Sequence, residues 1–229
     1  IRNGQINYDR VTEFSAVDYG FFVSYAQKTA VEGLTLGGSA KIIHRSAGEF
    51  TRAWGFGIDA GLQYKTANDW MFAAMARDVT TTFNAWNFNF TDAEKDVFTQ
   101  TGNEIPINSL ELTLPKLILG AAKKFNVNDE FSILSEVNAN ISTDGRRNTL
   151  LRTDVVSIDP NLGIEASYKD IIFLRGGVGN VQQETDLDFE EQWTFQPNIG
   201  VGLKLKQVTI DYALSDIGDQ SAALYSHVF

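Results

Sequence analysis

Apolar and polar side chains alternate along most of this chain with a period of two. From Trp54 to Tyr64, the residues Trp54, Phe56, Ile58, Ala60, Leu62 and Tyr64 fall on one side. Gly55, Gly57, Asp59, Gly61 and Gln63 fall on the other. Successive side chains of a strand point to opposite faces, so this segment predicts a strand with one apolar face and one polar or very small face. A helix would scatter the same residues around its circumference.

The pattern recurs. Leu34, Leu36, Ala40 and Ile42 oppose Thr35, Ser39 and Lys41. Phe131, Ile133, Val137, Ala139 and Ile141 oppose Ser132, Glu136, Asn138 and Asn140. Leu162, Ile164, Ala166 and Tyr168 oppose Gly163, Glu165 and Ser167. Ile199, Val201, Leu203 and Leu205 oppose Asn198, Gly200, Gly202, Lys204 and Lys206, and Val208, Ile210, Tyr212 and Leu214 oppose Thr209, Asp211 and Ser215. Segment 70–84 alternates less cleanly, and 171–180 begins apolar on both faces. Together these predict about eleven strands, over 18–29, 33–45, 50–64, 70–84, 111–125, 130–142, 153–168, 171–180, 195–206, 208–215 and 221–229.

The connections alternate as well. Ala30–Glu32, Lys65–Asp69, Asn126–Asp129, Lys169–Asp170 and Lys206–Gln207 are short. Ser46–Glu49, Ala85–Leu110, Thr143–Arg152, Val181–Thr194 and Asp216–Gln220 are longer. Tight turns on one side and large loops on the other are the habit of a transmembrane antiparallel up-and-down β-barrel. The reading places the chain in the bacterial outer membrane, crossing it many times, with periplasmic turns and extracellular loops. Residues 1–229 then form a single barrel domain. A soluble β-sandwich is the structural competitor. The first strand runs downward, so a closed barrel requires strands before it, because an open edge in lipid leaves backbone groups unsatisfied.

Composition agrees with this and removes other classes. No stretch approaches the roughly 20 apolar residues of a spanning helix. Hydrophobic residues make up 43% of the chain, as they can in a barrel where only alternate residues meet lipid. The chain has no cysteine, which removes disulfides and thiolate metal sites. Its net charge of −10 argues against nucleic acid as a partner. It opens at Ile1 rather than Met, and is read as a processed or partial chain.

Chemistry is sparse. His44 and His227 are the only histidines and resemble neither a metal pair nor a catalytic dyad. There is no G-x-S-x-G elbow and no P-loop. No catalytic, cofactor-binding or metal-binding residue is expected, and no cofactor. Glu184, Asp186, Asp188, Glu190 and Glu191 cluster without EF-hand spacing, and read as a solvated acidic loop or one bridged to lipopolysaccharide by divalent ions. Thr91-Asp-Ala-Glu94 is a capping box that predicts a short helix in the longest loop. Lys41, Asp59, Glu136, Glu165, Lys204 and Asp211 are expected to face the lumen, lining a solute path or pairing with one another. Trp54, Tyr64, Trp70, Trp86, Tyr168 and Trp193 are expected to form interfacial girdles.

Several segments resemble the PorV/PorQ family. Gly33–Ile43 followed by Gly57–Tyr64 is similar to its paired central strands, and Leu114–Gly120 to its "LP…LG" strand. Asn161–Tyr168 with Phe173–Gly177 resembles its later hairpin, and Asp211–Asp216 with Tyr225–His227 its C-terminal signature. The family's N-terminal glycine-rich region is not represented. The resemblance implies a FadL-like barrel of about fourteen strands when complete, about eleven of them in this chain. It also implies a non-enzymatic role in type IX secretion or a related surface assembly of Bacteroidota-type bacteria. In that role the barrel binds or shuttles a secreted or surface protein. The expected surroundings are outer-membrane lipid and lipopolysaccharide, and the expected partners a protein client or other subunits of an outer-membrane complex. Loop residues Asn89, Phe90, Phe98, Ile105, Leu187, Phe189 and Trp193 are the candidate contacts. A FadL-like transporter of hydrophobic solutes and a purely structural barrel subunit are the alternatives.

Overall fold

A computed structural model describes residues 15–185, 191–216 and 225–228. Fourteen strands join in one sheet, and eleven of them form an unbroken hydrogen-bonded path. The path strands are β1 (Ala16–Lys28), β2 (Leu34–Ala47), β3 (Thr51–Lys65), β4 (Trp70–Arg77), β7 (Lys116–Asn126), β8 (Phe131–Ser142), β10 (Ser157–Tyr168), β11 (Ile172–Thr185), β12 (Glu191–Leu205), β13 (Val208–Asp216) and β14 (Tyr225–Val228). Off the path, β5 (Thr82–Phe88) pairs with β3 and β6 (Ser109–Thr113), and β9 (Leu151–Arg152) pairs with β10. One helix, α1 (Asp92–Gln100), completes the described elements.

The residues cluster into two compact units. The first comprises Ile1–Ser24, Ser39–Ile58 and Thr80–Thr113. In it β3 pairs with β5, from Thr51↔Phe88 to Phe56↔Phe83, and β5 pairs with β6, from Thr82↔Thr113 to Trp86↔Ser109. Helix α1 is capped as its sequence predicts. Glu94 N–H donates to Thr91 Oγ1 at 3.4 Å, and Thr91 N–H donates to Glu94 Oε2 at 2.7 Å, so two orphan donors of the first turn are satisfied.

The second unit comprises Tyr25–Gly38, Asp59–Val79 and Leu114–Phe229. Within it β4 pairs with β7, β7 with β8 and β8 with β10, and β10 to β14 follow in chain order. Lys169 and Asp170 both adopt left-handed backbone (φ 54° and 51°), as a two-residue type I′ hairpin requires. At Gly33 (φ 80°) a side chain would strike the Lys65 carbonyl, so only glycine fits.

Four expectations change. The segment 70–84 is not one strand, because Asp78 and Thr81 take left-handed backbone (φ 57° and 59°) and separate β4 from β5. The segment 111–125 is divided between β6 and β7 at Leu114-Pro115, where proline removes a ladder donor. The connection 85–110 is accordingly no open loop but the run from β5 through α1 to β6. The connection 181–194 shortens likewise, since β11 reaches Thr185 and β12 starts at Glu191.

Candidate functional site

Burial in this protein is inverted. Among the described residues the buried hydrophobic side chains are Ala53 and Ala122 alone. The buried polar set is larger and includes Lys41, Thr51, Asp59, Thr82, Asn84, Ser142, Ser157 and Ser167. Strand β3 shows the rule residue by residue. Trp54, Phe56 and Ile58 are 52%, 47% and 48% exposed, whereas Thr51, Ala53, Gly55, Gly57 and Asp59 between them are buried. Strands β10 and β12 repeat it, with Leu162, Ile164, Ile199 and Val201 exposed and Ser167 and Gly202 buried. The greasy face of the sheet is the exposed one and the polar face is the packed one.

The polar face of the second unit is organised by Arg175, on β11. Its Nε donates to Glu165 Oε2 at 2.6 Å and its Nη1 to Asp211 Oδ1 at 2.5 Å. Register makes this possible, because Arg175 stands directly across from Glu165 on β10 and Gly200 on β12. A side chain at Gly202 would lie 2.5 Å from Asp211 Oδ1 and 3.1 Å from Arg175 Nη1, so the glycine clears the space for the ion triad. Nearby, Asn138 Nδ2 donates to Glu136 Oε1 at 2.5 Å. Asp59 Oδ1 accepts the Asp78 N–H at 2.8 Å, holding the left-handed break after β4.

The first unit has its own polar cluster. Arg45 reaches Asp18 Oδ1 at 3.1 Å and Glu111 Oε2 at 3.3 Å, and its guanidinium lies 5.1 Å from the Trp86 ring centroid. The Trp86 indole N–H donates to Glu111 Oε2 at 2.7 Å. An aromatic run follows: Trp86–Phe88 at 6.5 Å, Phe88–Phe90 at 5.9 Å and Phe90–Phe98 at 5.1 Å. Phe50 joins Phe90 at 6.5 Å, and so ties the β2–β3 turn to α1.

Two carboxyls in the connections are held below their ordinary values. The backbone N–H and hydroxyl of Thr91 hold the Glu94 carboxyl below its ordinary value. Arg147 lowers Asp144 to about 2, chiefly by donating hydrogen bonds, one of them Nε to Oδ1 at 2.8 Å.

The predicted residues distribute as follows. Of the six assigned to the lumen, Lys41 and Asp59 are buried, each only 5% exposed, and Glu165 is half-buried. Glu136, Lys204 and Asp211 keep more solvent contact. Of the loop candidates, Asn89 and Ile105 are exposed, and Asn89 N–H donates to the Phe50 carbonyl at 2.8 Å. Phe90 and Phe98 are half-buried against each other, so they hold α1 rather than standing free. Trp193 lies within β12, not in a loop, and is exposed. Leu187 and Phe189, with most of the acidic cluster, lie outside the described residues. Trp86 departs from the girdle set, because its N–H is turned toward Glu111 on the polar side. Among the described residues no group of His, Cys, Asp or Glu is arranged to hold a metal ion.

Arg175 and Arg45 are absent from the sequence-based candidates. Each binds carboxylates far away in sequence, and the only available signal was strand register, which places Arg175 level with Glu165.

The comparisons with known proteins bear on the fold. No protein-family model and no curated protein matches the chain. Among solved structures, the β domain of the Bordetella autotransporter Brka superposes with a TM-score of 0.50 at 11% identity. The match covers 93% of this chain and 87% of that one. At this identity it is the antiparallel β-architecture that the two chains share.

Proposed function

We propose that this protein is a non-enzymatic outer-membrane β-barrel whose long connections hold a protein client. The observation that carries the membrane half is the inverted burial. Rows of Trp, Phe, Ile, Leu and Val lie exposed on strand after strand, and soluble monomers rarely expose contiguous apolar patches larger than a few hundred Å². Acyl chains are the solvent such a face needs, and a closed β-barrel is one of two backbone solutions that lipid permits. Tyr64, Trp70 and Tyr168 gather at the short-turn ends of their strands. Lys123 Nζ stands 4.9 Å from the Trp70 ring and Lys169 Nζ 5.1 Å from the Tyr168 ring, the pairing expected at a headgroup boundary. The likeness to an autotransporter β domain supports the architecture.

The client half draws on the run from β5 to β6. Among the described residues β6 pairs with β5 alone, so its other edge offers backbone donors and acceptors to an extended segment. Leu110 and Leu112 stand exposed on that strand and Ile107 just before it. The sequence resemblance to PorV/PorQ proteins makes type IX secretion, or a related surface assembly, the setting this reading favours.

Photo-crosslinking in native membranes tests it. A reactive residue at Ile107 or Leu110 should capture a protein in stoichiometric yield, whereas one at Ile164 should capture lipid. A barrel that returns no protein adduct but carries a co-purified fatty acid supports a hydrophobic-solute transporter instead. A chain that stays monodisperse in buffer without detergent overturns the membrane assignment.

A further inference from the structure

A cavity of about 410 Å³ opens in the second unit where Arg77 ends β4, Lys116 begins β7 and Ser142 ends β8. That volume suits a small ligand. Three features of its wall do not explain one another.

Arg77 and Lys116 stand directly opposite each other across β4 and β7, and both line the cavity. Like charges in directly opposed positions repel. Among the described residues neither forms an ion pair, in contrast to Arg147 on the same wall, which is matched by Asp144. Asp159 also lines the cavity, and among the described residues its Oδ1 is buried with no hydrogen-bond partner. A buried carboxylate oxygen without a donor is destabilising, because it has given up its water for nothing in return. The cation pair and Asp159 make two poles, the amides of Asn140, Asn148 and Asn180 line the same cavity, and Ile118 and Ile141 supply the apolar contact. The wall thus asks for one ligand that brings a negative group to Arg77 and Lys116 and a hydroxyl donor to Asp159.

We infer that this cavity binds a hydroxylated carboxylate, a sugar acid of hexuronate size. Its carboxylate sits between Arg77 and Lys116, a hydroxyl donates to Asp159 Oδ1, and the asparagine amides take the remaining hydroxyls. The inference needs only the fold of this unit and stands apart from the client-holding proposal.

Calorimetric titration of the folded protein in detergent tests it, with D-glucuronate as probe and glucose and acetate as controls. Glucuronate should bind saturably, at least tenfold more tightly than either control, because only it addresses both poles. R77Q/K116Q should lose at least tenfold in glucuronate affinity, and its melting temperature without ligand should stay level or rise as the repulsion disappears. K116Q alone should move both readouts the same way, to a smaller extent. D159N should narrow the preference for glucuronate over acetate. A glucuronate tetramer that binds as well as the monomer makes the natural ligand a polysaccharide end, and binding by the monomer alone makes it a free solute. The inference is overturned if glucuronate gives no saturable heat or binds no more tightly than acetate. It is overturned equally if R77Q/K116Q retains full affinity, or melts lower and thereby reveals the cations as already satisfied by the fold.

Discussion

Thr82 occupies the space that a side chain at Gly57 would need. A methyl group there would run into Thr82 Oγ1 and lie 2.7 Å from Lys41 Cε, in a layer where Gly57, Thr82 and Lys41 are all buried. Gly57→Ala should therefore destabilise the folded protein by about 1–3 kcal/mol, the usual cost of overpacking. At Gly61 on the same strand the nearest atom would be the Ala74 carbonyl oxygen at 3.4 Å, so Gly61→Ala should be close to neutral. Urea unfolding of both variants in lipid vesicles makes the comparison.

Ile164 separates a membrane wall from a soluble one. It is 56% exposed in mid-strand on the apolar face of β10. In water Ile164→Lys would be harmless or would improve solubility. In lipid it should cost about 2–4 kcal/mol if Ile164 lies near the bilayer midplane. Equilibrium unfolding in vesicles measures the difference, and a neutral outcome would count against the membrane face.

Arg175 joins Glu165 and Asp211 across three strands, and its loss leaves two carboxylates facing each other. Both are partly solvated, so the penalty is that of a screened pair rather than a buried one. Arg175→Met should lower stability by about 1–2 kcal/mol at neutral pH. Adding Glu165→Gln should recover part of it, because one of the two negative charges is then gone. A double-mutant cycle isolates this coupling from the packing of the long side chain.

Asp144 gives a pH test with a definite sign. Arg147 lowers its folded pKa to about 2 from an ordinary 3.8. A lowered carboxyl stabilises the folded form above its unfolded pKa, and the contribution disappears as pH falls toward the folded value. The connection after β8 should therefore stay ordered at pH 4 and loosen between about pH 4 and 2. Arg147 N–H, which donates to Ser157 Oγ at 2.9 Å, reports this through its amide resonance. Arg147→Gln should shift the transition toward pH 4.

Thr91 controls α1. The helix is nine residues long and has no buried residue of its own, so its cap matters more than it would in a packed helix. Thr91→Ala should weaken it by about 1 kcal/mol. Hydrogen exchange across Asp92–Gln100 should accelerate, with the strands unaffected.

Local rules made much of this protein legible. Period-two alternation located the strands because each side chain's face follows from its parity, and Trp54, Phe56 and Ile58 with Gly55 and Gly57 obey it. The short turns and the Thr91–Glu94 cap were equally local, since turn and capping residues act within a few positions. The sequence by itself therefore determined most of the strands, their alternating faces and the helix in the longest connection, but not the breaks that separate β4 from β5 and β6 from β7. Tertiary structure alone decided which distant residues meet. Arg175 with Glu165 and Asp211, Arg45 with Glu111, and Arg77 level with Lys116 all depend on pairing register, which is a property of two strands at once and is written in neither. The break at Asp78 belongs to the same class, because its left-handed backbone is held by a carboxylate from the neighbouring strand.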